Sequence, residues 1–302
     1  MQPNTHPETA QDAYRRLVKR GFARILRYRD EVLSIDAIEP RHDLRSEIRR
    51  FEALINLFQS FLDPERIHKP LRRIQKLRKA VGKVRDLDLA IELLESWQMK
   101  LQPSESAALA ELSDAIEKLR ERRLKTLEDL REQVEPLQDL ARQRKLNRAI
   151  LQAIVGTDVK PLAGSVHAML DPLIVDFESR AKSLQEFLLS GKKYSEEEWH
   201  PVRIVGRRLR YALETEGFSI AGLSTSMQEE LRKQLRALQT HAGDMLDRSG
   251  QIELLRPLLN GPSVYSHHEH EPWEVQLREE RDASELLATA DLAKLIEMLK
   301  EP

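Results

Sequence analysis

The sequence predicts an all-α protein, and three observations carry that prediction. Apolar residues recur with a period near 3.6 along almost the whole chain, aromatic residues make up only 5 % of it, and it holds just 11 glycines. Strands and their tight turns would need more of both residue types. The 302 residues suit one large helical domain or two packed bundles. Charged residues at 33 % against 40 % hydrophobic place a heavily charged surface on long amphipathic helices.

Taken in order, a first helix is expected over about Glu8–Leu33 and a second from after Pro40 to about Leu62. Asp63-Pro64-Glu65 is a stop-and-start signal, with an N-cap, a proline at the first helical position and then an acid. It opens a third helix to about Val81. Gly82 marks either a break or a close approach, and a fourth helix covers about Val84–Met99. Pro103-Ser104-Glu105 opens a long helix to about Val134, ended by Pro136, and another reaches about Val155. Gly156-Thr157-Asp158 is the clearest mid-chain boundary and divides the chain into halves 1–156 and 157–302. Further helices are expected over about Pro161–Leu189, from the capping box at Ser195 and Glu198 to about Gly217, and over Thr225–Ala242 and Leu246–Leu259. After the Asn260-Gly261-Pro262 turn and a loop, a last helix covers about Trp273–Lys300. No strand pattern is convincing.

Composition excludes several classes of function. There is no cysteine, so disulfides, thiol catalysis and thiolate metal sites are ruled out. Met1–Pro7 shows no leader pattern and no run of about 18 apolar residues occurs, which points to a soluble, cytoplasmic protein with no membrane partner. The net charge of −1 hides a segregation: residues 41–85 hold 13 Lys/Arg and 5 Asp/Glu, a local excess of +8.

A repeat lies within this charge pattern. His42-Asp-Leu-Arg45-Ser-Glu-Ile-Arg49-Arg50 has the form H-x-x-R-x-x-x-R-R, and His200-Pro-Val-Arg203-Ile-Val-Gly-Arg207-Arg208 has the same form. Each is followed by a second match, Val81-Gly82-Lys83-Val84-Arg85-Asp86 pairing with Ala242-Gly243-Asp244-Met245-Leu246-Asp247. Two anchors in the same order point to duplication and to two similar bundles.

On a helical wheel, Arg45 and Arg49 fall within about 60° of His42, while Leu44, Ile48, Phe51 and Ile55 lie opposite. In the second copy His200, Arg203, Arg207 and Tyr211 share a face, and Val202, Leu209 and Leu213 look inward. Arg72, Lys76, Lys79 and Lys83 make a row one turn apart, opposite Ile74, Leu77, Val81 and Val84. Arg16, Arg20, Arg24 and Arg27 make another row on the first helix. Unpaired like charges at i, i+4 repel by a few tenths of a kcal/mol per pair, so such rows need counter-ions, acidic neighbours or an anionic ligand. The plainer alternative is a solvated face paired with acids on neighbouring helices. Inorganic polyphosphate suits the rows, because arginine grips terminal phosphate oxygens in pairs and lysine acts as a mobile point charge. Phosphate beside His42 and His200 would favour their charged forms and strengthen binding toward about pH 6.

These motifs resemble the conserved histidine α-helical domain, or CHAD, family. His42 to Arg50, Gly82-Lys-Val-Arg85-Asp86-Leu-Asp88, and His200 through Arg207-Arg208-Leu209-Arg210-Tyr211-Ala-Leu-Glu214 carry the resemblance, which spans roughly residues 8–260. It implies a stand-alone member with two four-helix bundles related by a pseudo-twofold axis. It further implies a central basic channel that binds inorganic polyphosphate and an association with polyphosphate granules. Residues expected to line the channel are His42, Arg45, Arg49, Arg50, Arg72, Lys76, Lys79, Lys83, His200, Arg203, Arg207, Arg208, Arg210, Arg20 and Arg24. Glu52 departs from the family pattern, which has a basic residue there, and Ile204 stands where many members have lysine. The second copy places Ala237, Thr240 and Asp244 opposite Lys76, Lys79 and Lys83, so its half is expected to grip more weakly.

Other constellations carry less. Asp86 and Asp88 point apart on a helix, so pairing with Arg85 or a neighbouring basic row is expected rather than a shared metal ion. Lone Glu214 is expected to orient an arginine. The His267/His268/His270 loop, with Glu269 and Glu271, could hold Zn or Ni but lacks a second patterned cluster. No nucleophile–base set and no phosphate-binding loop occur, so a binding protein without cofactor is expected rather than an enzyme. The alternatives are a phosphohydrolase or phosphotransferase acting on polyphosphate, a nucleic-acid binder, and a protein-interaction scaffold. Scarce aromatics argue against single-stranded nucleic acid.

Overall fold

Helix ends are where sequence signals and packing compete most visibly. The structure, a computed structural model, describes residues 8–34, 37–155, 162–191, 196–215, 217–220, 223–259 and 273–300. Among them are nine α-helices: α1 (Ala10–Arg27), α2 (Ile38–Leu57), α3 (Pro64–Gln98), α4 (Ser106–Gln138), α5 (Leu140–Leu151), α6 (Leu162–Leu189), α7 (Glu196–Leu213), α8 (Thr225–Leu255) and α9 (Trp273–Lys300). Between the helices lie short 3-10 turns at Glu31–Leu33 and Gln59–Phe61 and an isolated bridge from Leu62 to Ile154. The fold is all-α, as expected. None of the described helices is long and apolar enough to cross a membrane. The boundary at Gly156-Thr157-Asp158, the cap residue Ser195, the Asn260-Gly261-Pro262 turn and the histidine loop lie outside the described residues.

The expected cap at Asp63 forms, and Asp139 supplies one that its sequence context did not single out. Asp63 Oδ1 accepts from the backbone N–H of Glu65 (2.9 Å) and Arg66 (3.2 Å) and so starts α3. Asp139 does the same for Arg142 (2.7 Å) at the start of α5.

Four boundaries depart most from expectation, and core burial explains each. The break around Gly82 does not exist: α3 runs unbroken because Val81, Val84 and Leu87 are buried on either side. Likewise α8 passes through Gly243 between buried Ala242 and Met245. Pro136 does not end α4, which continues to Gln138. A proline inside a helix costs about 3 kcal/mol, and here buried Val134 and Leu137 hold the last turn against the core. Conversely α1 stops at Arg27, short of Leu33, where the chain folds into the 3-10 turn that buries Val32.

Packing follows chain order twice. α1 packs on α2, α2 on α3 and α3 on α4; α6 packs on α7, α7 on α8 and α8 on α9. The halves meet where α2 packs on α7, α1 on α6 and α3 on α8. One core runs through both halves. A second joins the far ends of the two long hairpins: Leu87–Trp97 of α3 and Leu112–Leu119 of α4 meet Ile252, Leu255 and Leu259 with Trp273 and Leu277 of α9. There the Trp97 and Trp273 rings pack at a tilt, their centres 6.3 Å apart. The contact of α2 with α7 places the two copies of the H-x-x-R-x-x-x-R-R motif side by side.

Candidate anion-binding site

Both motif helices bury the stripe that periodicity assigned to the core. Leu44, Ile48, Phe51 and Ile55 of α2 and Val202, Leu209 and Leu213 of α7 are all buried. The arginines between these stripes are therefore turned toward the junction of α2 and α7. Arg45, Arg49, Arg203 and Arg207 gather there, two from each copy. Burial, followed by the charges of Arg45, Arg207 and Arg203, pulls Arg49 down to about 8. Burial and Arg203 pull Arg207 down to about 10. Burial also lowers Arg203, although Asp247 opposes it. Four half-buried guanidiniums in mutual reach are costly to hold charged, and a nearby anion would relieve that cost. The buried Nε atoms of Arg45 and Arg49 have no hydrogen-bond partner, an uncommon condition for buried donors.

Two glycines let the arginines lie flat. A Cβ at Gly82 would come within 3.3 Å of Arg45 Cζ, and one at Gly243 within 3.3 Å of Arg203 Nη2. Gly82 is thus a close approach rather than a break. The two copies match here, each seating its first motif arginine across a glycine of the next helix.

Cavities flank the cluster. One of about 690 Å³ is lined by Arg45, Lys83, His200 and Arg203, with Arg122 of α4. Asp86, Asp129, Glu196, Asp247 and Glu253 line it as well. The basic rows looked poor in acids along each helix, but the packing of α3, α4, α7 and α8 brings carboxylates to the same wall. Asp86 Oδ1 accepts from Arg45 Nη1 at 3.0 Å. A second cavity of about 500 Å³ is lined by Arg20, Arg24 and Arg50 together with Glu47, Glu214 and Tyr211. Arg50 and Arg210 lie over the Tyr211 ring, 5.6 Å and 4.4 Å from its centre.

The remaining expected residues divide. Arg72, Lys76 and Lys79 are exposed along α3, and Arg208 is exposed on α7; among the described residues no ion pair engages them. Arg24 faces Glu47 at 3.6 Å and Arg50 bonds Glu47 at 2.6 Å. Arg210 bonds Gln239 (2.9 Å) and Glu214 (2.9 Å), and Glu214 also takes Arg236 (3.1 Å), so Glu214 does orient arginines. His42 is not brought to the cavity that His200 lines. It is exposed at the start of α2, where it lies against Asp43 and Glu39, the one trio among the described residues that could hold a metal ion.

Several functional partners escaped the sequence reading. Asp88 is buried between Arg41 Nη1 (2.5 Å) and Arg123 Nη1 (3.3 Å), and Arg41 also donates to the carbonyls of Val32 and Ser34. Both acids therefore serve arginines, Asp86 the motif residue Arg45 and Asp88 the pair Arg41 and Arg123, rather than the expected Arg85. The signal for Arg41 was present: it continues the Leu44-Ile48-Phe51-Ile55 stripe, as Asp88 continues Ile74-Leu77-Val81-Val84. Arg78 bonds Glu52 at 3.0 Å, which accounts for the acid where the family pattern has a base.

An all-helical scaffold that closes a cluster of arginines between two copies of one motif defines the class. The chain belongs to the CHAD family: it matches the CHAD domain over residues 16–256. Its fold is similar to the CHAD domain from the plant Ricinus communis, at 20 % identity and TM-score 0.65, covering 98 % of this chain and 93 % of that one. It is also similar to PptA from Streptomyces chartreusis, at 15 % identity and TM-score 0.58, covering 95 % of this chain and 100 % of that one. No curated protein sequence matches the chain.

Proposed function

We propose that this protein binds inorganic polyphosphate through the arginine cluster between α2 and α7, and that it binds rather than turns over its ligand. The observation that carries the reading is the convergence of Arg45, Arg49, Arg203 and Arg207, with unpartnered Nε donors on Arg45 and Arg49. A chain with charged oxygens at regular spacing could use both cavities and the cluster between them, while exposed Arg72, Lys76 and Lys79 add a long-range field. The contact order of the helices supports two four-helix bundles, α1–α4 and α6–α9, related by a pseudo-twofold axis, with the ligand at their junction and α5 outside the repeat. Granule association follows from the ligand and from family membership.

A second reading has one specific observation in its favour. Asp86, Asp129 and Asp247 line the cavity wall; they are too far apart to hold a metal ion as a trio, but a single carboxylate can share a divalent ion with the oxygens of a bound phosphate. Incubating the protein with long-chain polyphosphate and Mg²⁺ separates the two: binding with no phosphate released supports the binding protein, and steady release supports a phosphohydrolase. Competition by DNA or RNA at fixed salt tests selectivity, and equal displacement by nucleic acid would replace polyphosphate with a general phosphate backbone as ligand.

A further inference from the structure

A third and larger cavity, of about 1050 Å³, shares no lining residue with the two beside the arginine cluster. Arg15 and Lys19 of α1, Arg66 of α3 and Arg144, Asn147 and Arg148 of α5 line it, and no acid does so among the described residues. Arg66 leans on Asp63 at 3.0 Å. Among the described residues no ion pair engages Arg15, Lys19, Arg144 or Arg148.

Arg15 with Lys19 and Arg144 with Arg148 are each one helical turn apart, so each pair repels along its own helix and faces the other across the cleft. The walls cannot spread to relieve this. Tyr14 Oη donates to the Ile150 carbonyl at 2.8 Å and ties α1 to α5. The segment after α5 is held by Asp63 N–H to Ala153 O (2.8 Å) and Val155 N–H to Phe61 O (2.9 Å). On the α1 wheel, Arg15 and Lys19 lie about 140° from the Arg20 and Arg24 row, with the buried stripe between them on the other side. Arg16 stands between the two pairs on the wheel and is engaged by Glu8 at 2.7 Å. Asn147 adds a buried side-chain oxygen with no partner, and turning that amide end for end would present an N–H₂ donor.

We propose that this cleft is a second anion site, suited to a short run of phosphates, whether an inorganic oligophosphate or the oligophosphate tail of a small metabolite. Its two opposed pairs of cations fit a ligand that carries several charges within a few ångströms, and the fixed walls keep them arranged for it. The cleft takes no residue from the arginine cluster.

The test is calorimetric titration with tripolyphosphate on a chain whose cluster is already disabled by Arg45→Ala, Arg49→Ala, Arg203→Ala and Arg207→Ala. That variant should still bind about one equivalent, and adding Arg144→Gln and Arg148→Gln should weaken the binding about tenfold or more. Both substituted side chains are exposed and unpaired, so helicity by circular dichroism should not change. Adenosine tetraphosphate compared with inorganic tetraphosphate distinguishes the sources: equal binding assigns recognition to phosphates alone, and tighter binding of the nucleotide assigns it to a metabolite tail. No tripolyphosphate bound by the folded cluster variant, or binding indifferent to Arg144 and Arg148, overturns the proposal. Failure of the cluster itself would appear separately, as unchanged long-chain binding when only its four arginines are replaced.

Discussion

The residue before each duplicated histidine fills the same place with different chemistry. In the first copy it is Arg41, fully buried against Asp88 with Arg123 behind it. In the second it is Trp199, equally buried, with its indole N–H on Glu285 at 3.3 Å. A similar exchange occurs one layer away: Arg78 of α3 reaches back to Glu52 of α2, whereas Arg210 of α7 reaches forward to Gln239 of α8. What both copies keep is the seating of Arg45 on Gly82 and Arg203 on Gly243, with Asp86 and Asp247 alongside. What they do not share is the outer face, where Lys76, Lys79 and Lys83 of α3 stand against Ala237, Thr240 and Asp244 of α8. The interior tolerates any group that fills space and satisfies its hydrogen bonds. The arginine seat is common to both, and the outer face sets how strongly each half attracts an anion.

The largest effect should come from breaking the buried charges of the first copy. Arg41→Ala leaves Asp88 buried with a single partner, and removing one member of such a group costs about 3–5 kcal/mol. Replacing Arg41 and Asp88 together by methionine and leucine should cost much less, because the second copy already fills the site with a largely apolar side chain. Chemical denaturation measures both, and a double variant as unstable as the single one would break the comparison. Next, Ala237→Lys, Thr240→Lys and Asp244→Lys should rebuild on α8 the row that α3 carries. Polyphosphate affinity should rise about tenfold at low salt and lose that gain as salt increases. An unchanged affinity would mean that the outer face has no part in binding.

Gly82→Ala sharpens the same contrast with a smaller change. The methyl group should favour the helix by up to about 1 kcal/mol while displacing Arg45, so binding should weaken a few-fold in a chain no less stable. Gly243→Ala should act alike on Arg203. The smallest effect concerns pH without ligand. Arg49 and Arg207 sit at about 8 and about 10, below the ordinary arginine range of the unfolded chain. Above about pH 8 the native state then binds fewer protons than the unfolded state, so stability should rise with pH. The contribution is lost as pH falls through about 8, and saturating polyphosphate should flatten the rise. Melting temperatures between pH 7 and 10 with and without ligand measure it.

Much of this was legible along the chain. Helical periodicity gave the elements and the buried faces of α2, α3 and α7, and the duplicated motif picked out the four arginines that meet. The rest needed the third dimension. Gly82 and Pro136 are local break signals overruled by buried neighbours, and no window of sequence weighs one against the other. The carboxylates on the cavity wall come from four helices, so no single wheel displays them together. His42 shares a wheel face with Arg45 and Arg49, yet its position in the first turns of α2 leaves it exposed beside Glu39 and Asp43. The basic cleft of α1 and α5 joins residues about 130 positions apart that no repeat marks.

The central claim is that the two motif copies build one site. Its most direct test is calorimetric titration with long-chain polyphosphate at about 0.15 M salt, near the physiological ionic strength at which surface charges are screened beyond about 8 Å. The wild type is compared with three variants: Arg45→Ala with Arg49→Ala, Arg203→Ala with Arg207→Ala, and all four together. Tight wild-type binding, with either pair costing nearly as much as all four in chains of unchanged helicity, is the result a shared site predicts. Long-chain binding as tight in the folded quadruple variant as in the wild type, or losses that simply add as from two independent sites, would contradict it.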